Sequence, residues 1–193
     1  MLKRLGLCAA LEDIANGAVS VEQEYVWYGI LENPEELEKA LSVESHSQSN
    51  MRAPKGQSRV RKTTVKGEES KYIITVKAHQ SEDKLSSDEV SLPCSEDMWK
   101  CYRAASGESM DKIRYTFDAG DGLTWEVDVF TEADEVTPKR WVKIDLEVKE
   151  KLTVFPNLPI TLSKVIFSPN KQYTEKDNKS LDTLYREVFV NRV

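Results

Sequence analysis

The chain has 193 residues, 39% of them hydrophobic and 31% charged, and its formal net charge is −6. This length suits a single domain, because domains commonly run to about 100–200 residues. The acidic balance argues against a general nucleic-acid-binding protein, whose surface would be basic, and no apolar run approaches the roughly 18 residues that a membrane span needs.

Helices are predicted at four places along the chain. Residues 3–16 predict a short amphipathic helix, so an N-terminal helical extension of about residues 1–19 begins the one domain that spans residues 1–193. Asn33, as an N-cap before a proline and two acids, predicts a second helix that ends near Val43. The remaining two helices are predicted to begin at Ser95 and to lie within 180–190.

Strands are predicted where apolar and polar residues alternate with a period of two. Between them, residues 44–58 and 80–90 are polar and predict loops, the first of them mobile and rich in turn-forming residues. The two histidines, His46 and His79, lie in or beside these loops and are predicted to be solvated. In chain order the predicted strands are 20–31, 58–65, 71–79, 111–118, 123–131 and 140–150, with further short strand within 154–167.

Several of these strands carry paired charges on one face. In residues 142–149 four charged residues alternate with four apolar ones, which gives the strand one charged and one apolar face. An ordinary sheet would bury the apolar faces and expose the charged faces to water. A closed barrel would instead cover its apolar outside with helices and turn the charged faces towards a water-filled tunnel. Pairs of arginines and pairs of carboxylates on different strands favour the barrel.

The charged sets are, in chain order, Glu22-x-Glu24, Arg59-x-Arg61, Lys71 to Lys77, Lys112-x-Arg114, Glu126-x-Asp128 and Asp145-x-Glu147. Their types and order resemble those of the CYTH superfamily, the triphosphate tunnel metalloenzymes. The resemblance extends over roughly residues 20–182. A stretch at 173–181 is also similar to the closing tyrosine and Asn-x-x-Leu of that family.

The resemblance implies an α+β fold in which an eight-stranded antiparallel β-barrel forms a tunnel, with helices packed outside. It also implies that a small-molecule triphosphate or nucleotide binds inside the tunnel with Mg²⁺ or Mn²⁺. Guanidinium groups suit phosphate oxygens, and carboxylates suit these hard cations. The metal would neutralise charge on the phosphoryl group and lower the pKa of an attacking water.

The resemblance further implies roles for individual charged residues. The expected catalytic residues are Glu24, Arg61 and Lys77. The expected substrate-binding residues are Arg59, Arg61, Lys71, Lys77, Lys112, Arg114 and Lys143. The expected metal ligands are Glu22, Glu24, Glu126, Asp128, Asp145 and Glu147.

One position departs from the family pattern. The first strand of the family normally reads Glu-x-Glu-x-Lys, and Val26 occupies the lysine position here. The lysine helps to hold phosphate in the family, so its absence puts full activity or the usual substrate in question. Lys143 and Lys149 lie on the charged face of their strand and could compensate.

The sequence leaves three functions open. The first is metal-dependent hydrolysis of inorganic triphosphate or a related small organic triphosphate by a phosphohydrolase. The second is a nucleotide- or polyphosphate-binding protein with weak or no catalysis, and the third is adenylate cyclase-like or RNA 5′-triphosphate-end chemistry. Three cysteines without metal-binding spacing favour reduced thiols and a cytoplasmic protein. No membrane partner is expected, and the oligomeric state is open.

Overall fold

The computed structural model describes residues 20–53, 56–79, 86–130, 141–148 and 152–169. Within these ranges the chain forms nine β-strands, one α-helix and one 3-10 helix at Pro34–Lys39. The strands and the α-helix are β1 (Ser20–Leu31), β2 (Ser42–Ala53), β3 (Gly56–Thr64), β4 (Lys71–His79), β5 (Ser86–Pro93), α1 (Glu96–Ala105), β6 (Glu108–Gly120), β7 (Leu123–Phe130), β8 (Trp141–Val148) and β9 (Leu162–Phe167).

The strands form one antiparallel sheet in the order β5-β4-β3-β2-β6-β7-β8-β1-β9. β9 pairs with the later part of β1, from Tyr28 to Leu31. The first four residues of β1, Ser20 to Gln23, pair with β5, so the opposite end of the strand order also meets β1. The predicted count of eight strands is therefore wrong, because β9 adds a ninth. The mostly antiparallel sheet with few helices agrees with the prediction, and a closed tunnel stays a prediction.

One face of the sheet is apolar and forms the core. Trp125, Val127, Ile144 and Leu146 on β7 and β8 are at most 1% exposed. Residues 152–161 cover this face with partly buried apolar side chains. The apolar side chains alternate with charged ones along these strands, as the period-two pattern predicts.

Helix α1 packs on the same side of the sheet, against β2, β3 and β4. Its Ser95 N-cap accepts a hydrogen bond from the backbone of Met98, as expected at a helix start. The indole of Trp99 donates to the backbone oxygen of Ser47 at 3.3 Å, and the hydroxyl of Tyr102 is 2.7 Å from that of Ser58. Helix α1 therefore lies on the face of the sheet opposite the charged side chains, as predicted for the helices.

Three local predictions are wrong. The helix predicted from Asn33 ends at Lys39 as a 3-10 helix, because the chain returns to extended backbone at Ala40. The predicted loop at 44–58 contains most of β2, and the predicted loop at 80–90 contains the first part of β5. Both strands carry polar residues on their two faces, so they lack the apolar alternation that indicates a strand.

Two predicted helices, at 3–16 and 180–190, lie outside the described residues, as does the N-terminal extension of about residues 1–19. Across the described ranges no helix has the length and apolar character needed to cross a membrane.

Substituting Leu146, which has no solvent exposure, tests the position of the core. We expect Leu146→Ala to lower the free energy of unfolding by about 2–5 kcal/mol, because the change leaves a cavity. Leu41→Ala is the matched control, since Leu41 is 72% exposed, and it should change stability little. Urea unfolding measures both. Equal losses for the two variants would contradict the core described here.

Candidate functional site

Charged and polar side chains occupy the face of the sheet opposite the apolar core. Directly paired residues of neighbouring strands share a face, and Arg114, Asp128 and Lys143 are paired in this way across β6, β7 and β8. We call this surface the charged face. Its members include Glu24, Glu44, His46, Gln48, Asn50, Arg59, Arg61, Thr75, Lys77, Glu89, Lys112, Arg114, Glu126, Asp128, Lys143, Asp145 and Glu147.

The charged face is largely buried. Asp128 has no exposure, Asp145 is 2% exposed and Lys112 is 6% exposed. Solvated outer faces do not bury ions to this extent, because an ion withdrawn from water must find a partner. The ordinary sheet, with its charges turned to water, is therefore excluded for this part of the sheet.

Asp128 holds the most deeply buried ion cluster. Arg114 grips it in a bidentate manner, with Nε 2.7 Å from Oδ1 and Nη2 2.9 Å from Oδ2, and Lys112 also donates to it. Burial opposes the charge of Asp128, but Lys112 and Arg114 more than offset this and hold its pKa well below the usual range. Burial lowers the pKa of Lys112 to about 8, despite its contact with Asp128. These three predicted site residues are thus engaged with one another.

A second cluster joins β1 to β8. The ammonium of Lys143 is 2.9 Å from Oε1 of Glu24 and 2.6 Å from Oδ2 of Asp145. Lys143 lowers the pKa of Glu24 by more than burial raises it. Burial raises the pKa of Asp145, and the charge of Glu24 adds to this, so that its pKa lies well above the usual range despite Lys143. Lys143 therefore stabilises the negative charge of Glu24, whereas burial disfavours the charge of Asp145.

A third group of ions lies where β1, β3, β4 and β5 approach one another on the charged face. Lys77 on β4 lies 3.4 Å from Oε2 of Glu24 on β1 and 3.3 Å from Oε2 of Glu89 on β5. Arg59 on β3 also approaches Glu89, at 3.6 Å. Because the pairs Lys77–Glu24 and Arg59–Glu89 each reach past one strand, the sheet must curve so that its charged face is concave.

Arg61 differs from the other cations of the charged face. Burial, followed by the charges of Arg59 and Arg114, lowers its pKa to about 10. Among the described residues Arg61 makes no ion pair, and its Nε has no hydrogen-bond partner; the Nε of Arg59 also has none. Arg61 and Glu44 line a cavity of about 180 Å³ at one end of the face. A partly buried guanidinium that lacks an ion-pair partner is suited to binding an anion.

The remaining predicted site residues lie nearer the ends of the strands. The side chain of Lys71 is 69% exposed and lies 3.6 Å from Glu68. Glu126 contacts Arg114, and Glu147 is exposed and paired in register with Glu24. Glu22 is paired in register with Ser87, but its side chain lies outside the described part of the chain.

The carboxylates that best fit a divalent cation are Glu24 and Asp145. Oδ1 of Asp145 is buried and has no hydrogen-bond partner among the described residues. Mg²⁺ is often held by one or two carboxylates and completes its shell with phosphate oxygens and water. In the ranges that the structure describes, no three His, Cys, Asp or Glu side chains lie close enough together to hold a metal alone. The two residues therefore fit a metal that shares its ligands with a phosphate.

Sequence reasoning missed the contribution of β2 and β5. The prediction that His46 is solvated is wrong, because it is 2% exposed on the charged face. Glu89 falls in the predicted loop 80–90. In the structure it lies on β5, is 7% exposed and contacts Lys77 and Arg59. The period of two in Glu44, His46, Gln48 and Asn50 is the signal that could have identified β2. The side chain of His79 lies outside the described part of the chain, so its solvation stays a prediction.

Val26 also lies on the charged face. It is paired in register with Asp145, so the residue at the family's lysine position does face the other site residues. The ammonium of Lys143 contacts both Glu24 and Asp145, which are the neighbours that a lysine at position 26 would have. This placement agrees with the expectation that Lys143 could compensate, while its effect on activity stays a prediction.

No protein-family model and no curated protein matches the chain. Solved structures with a similar fold include the inorganic triphosphatase NE1496 (20% identity, 81% of this chain, 93% of that chain, TM-score 0.45). Others are the PH1012 protein of Pyrococcus horikoshii and HpAC1 from Hippeastrum, a proposed adenylyl cyclase with a dominant triphosphatase activity. PH1012 is 13% identical, with 86% of this chain and 89% of that chain covered and a TM-score of 0.44. HpAC1 is 11% identical, with 85% of this chain and 87% of that chain covered and a TM-score of 0.46. Because these TM-scores are below 0.5, we base the function on the charged face itself.

Removing the charge of Asp128 tests the buried cluster. We expect Asp128→Asn to lower the free energy of unfolding by about 3–5 kcal/mol, because it leaves the cations of Arg114 and Lys112 buried without their anion. The control is Glu68→Gln, which breaks an ion pair whose two side chains are more than half exposed and should change little. Urea unfolding at pH 7 compares them, and a small loss for Asp128→Asn would contradict the cluster.

His46 should make stability depend on pH. Burial, followed by the charges of Arg61, Lys112 and Arg114, lowers its pKa to about 2, so the unfolded chain takes up a proton below about pH 6.5 that the folded chain refuses. Its stabilising effect is therefore present above that pH and lost as the pH falls. We expect it to account for a loss of about 2 kcal/mol between pH 7 and pH 5, measured as the difference in urea unfolding between the wild type and His46→Gln. Identical pH slopes for the two proteins would show that His46 titrates normally.

Proposed function

We propose that the chain binds a triphosphate on the charged face and hydrolyses it with the help of Mg²⁺ or Mn²⁺. The observation that carries this proposal is the partly buried guanidinium of Arg61, which has no ion-pair partner among the described residues, beside that of Arg59. Such a pair would bind a polyphosphate oxygen array through charge-assisted hydrogen bonds. Inorganic triphosphate or a small organic triphosphate supplies that array.

The proposal includes closure of the sheet into a tunnel. The pairing of β1 with β5 supports it, because this contact brings the far end of the strand order back to β1. The ion pair of Lys77 on β4 with Glu24 on β1 supports it as well, since it reaches past β5 on the inside of the same seam. In such a tunnel β9 would lie outside the ring, where it pairs with β1.

Each group of residues has its own part in the proposed reaction. Arg59 and Arg61 hold the phosphate chain, and the ion pairs of Arg114 with Asp128 keep the wall beside them rigid. Glu24 and Asp145 would hold the metal, which would offset charge on the phosphoryl group and lower the pKa of water. Lys77 and Lys143 orient Glu24. Positioning and electrostatic stabilisation provide most of the catalysis in phosphoryl transfer, so no nucleophilic side chain is needed.

A binding protein without efficient catalysis is the second candidate. Val26 favours it, because an apolar side chain stands on the charged face at the position where the family that the sequence resembles normally has lysine. In this case the triphosphate would stabilise the protein by mass action without releasing phosphate. We place either function in the cytoplasm, in keeping with the reduced cysteines inferred from the sequence.

Phosphate release from inorganic triphosphate tests the proposal, with Mg²⁺, Mn²⁺ or excess chelator. We expect metal-dependent release, reduced by about 100-fold or more in Arg61→Met, because removing one electrostatic contact to the transition state has an effect of this size. Lys62→Met is the matched control: Lys62 follows Arg61 on the same strand but faces Tyr72 and Trp99 on the other side.

The same experiment separates the two candidates when the melting temperature is measured as well. Stabilisation by triphosphate without phosphate release would replace the enzyme with the binding protein. The absence of both in the wild type would overturn the triphosphate site. Equal activity in Arg61→Met and Lys62→Met would show that the assignment of the phosphate to Arg61 is wrong.

A further inference from the structure

His46 is a buried histidine at the centre of the cationic part of the charged face. It is 2% exposed and is paired in register with Lys112 on β6. Gln48, two residues along the same face of β2, is paired with Arg61 on β3. His46 therefore stands between the guanidinium that we assign to phosphate and the lysine that binds Asp128.

Glu44 determines which ring nitrogen of His46 carries the hydrogen. Nε2 lies 2.9 Å from Oε2 of Glu44, and because a carboxylate only accepts hydrogen bonds, Nε2 is the donor. In the neutral ring the lone pair is then on Nδ1. This Nδ1 atom is buried and has no hydrogen-bond partner within the described part of the chain. An unpartnered acceptor among cations indicates a place for a further group.

The charges that face His46 come from every strand packed around it. Glu44 on β2 and Asp128 on β7 are negative, whereas Arg61 on β3 and Lys112 and Arg114 on β6 are positive. Asp128 is already committed to Lys112 and Arg114. Without a bound anion, burial and the cations therefore keep the ring neutral.

We propose that His46 is a phosphate-binding residue that takes up one proton at Nδ1 when an anion binds, and then donates a hydrogen bond to a phosphate oxygen. This inference rests on the proposed triphosphate site. One N–H bond forms with a proton from the solvent, and no other covalent bond changes. Glu44 continues to accept from Nε2 and stabilises the resulting imidazolium.

The negative charge of a bound triphosphate is large enough to protonate His46 near neutral pH. One negative charge about 4 Å away, at the effective dielectric constant of a protein site, raises a pKa by roughly three pH units. A triphosphate brings more than one such charge and also offsets the field of Arg61. The pKa of His46 in the complex should therefore return to its ordinary range or exceed it, so affinity should rise as the pH falls.

Imidazole nuclear magnetic resonance provides the direct test. The chain has two histidines, so a spectrum of ¹⁵N-labelled protein contains few ring signals, and the signal missing from His46→Gln assigns His46. With inorganic triphosphate and excess chelator, we expect the His46 nitrogens to change from the neutral to the protonated pattern at pH 6. The free protein should keep the neutral pattern from pH 8 to pH 5.

Calorimetry in two buffers of different ionisation enthalpy gives an independent reading that does not depend on turnover. The wild type should take up close to one proton more per bound triphosphate at pH 6 than His46→Gln. Its affinity should exceed that of the variant by about 10-fold at pH 6 and by less at pH 8, since one pH unit of linked protonation is worth up to tenfold. Lys62→Met should behave as the wild type.

Each result has one meaning for the two proposals. Triphosphate binding with a neutral His46 and equal proton uptake would overturn the role of His46 and leave the triphosphate site intact. Failure of the wild type to bind triphosphate would overturn the site and this inference together. Binding with the protonated pattern and the extra proton would establish His46 as part of the site.

Discussion

The ion cluster at Asp128 is the constraint on which the rest of the charged face depends. A carboxylate with no exposure is tolerated only if its partners satisfy it, and Arg114 and Lys112 do so from the neighbouring strand. Because Asp128 also lies opposite Lys143 in register, the cluster fixes which side chains of β6, β7 and β8 face inwards. The apolar core on the other side of these strands follows from the same alternation.

Some charged residues of this face are paired with an opposite charge, whereas Arg61 makes no ion pair within the described residues. Asp128 pairs with Lys112 and Arg114, and Arg114 also contacts Glu126, so the charges of this group offset one another. Arg61 has its charge opposed by burial and by neighbouring cations, without an ion-pair partner in the described chain. A substrate that supplies the missing anion would relieve this repulsion, so binding would be favoured where folding left an unfavourable interaction.

Many strands of this arrangement can be predicted from the sequence, but the pairing of one strand with another cannot. Strands such as β1 and β7 were predictable because apolar residues alternate with charged ones, whereas β2 and β5 are polar on both faces and resemble loops. The residue types predicted a phosphate and metal site. They could not show that Asp128 forms an ion pair with Arg114, or that His46 is buried. The ion pair and the burial both depend on how the strands pair with one another.

The pairing of β1 with β5 has a consequence for motion. It consists of four residue pairs, whereas β2 and β3 share nine. A short ladder has the fewest hydrogen bonds to lose, so local opening should begin there and its amides should exchange with solvent first. The ion pair of Lys77 with Glu24 lies beside this ladder, and its attraction would help β1 to pair with β5 again after each opening.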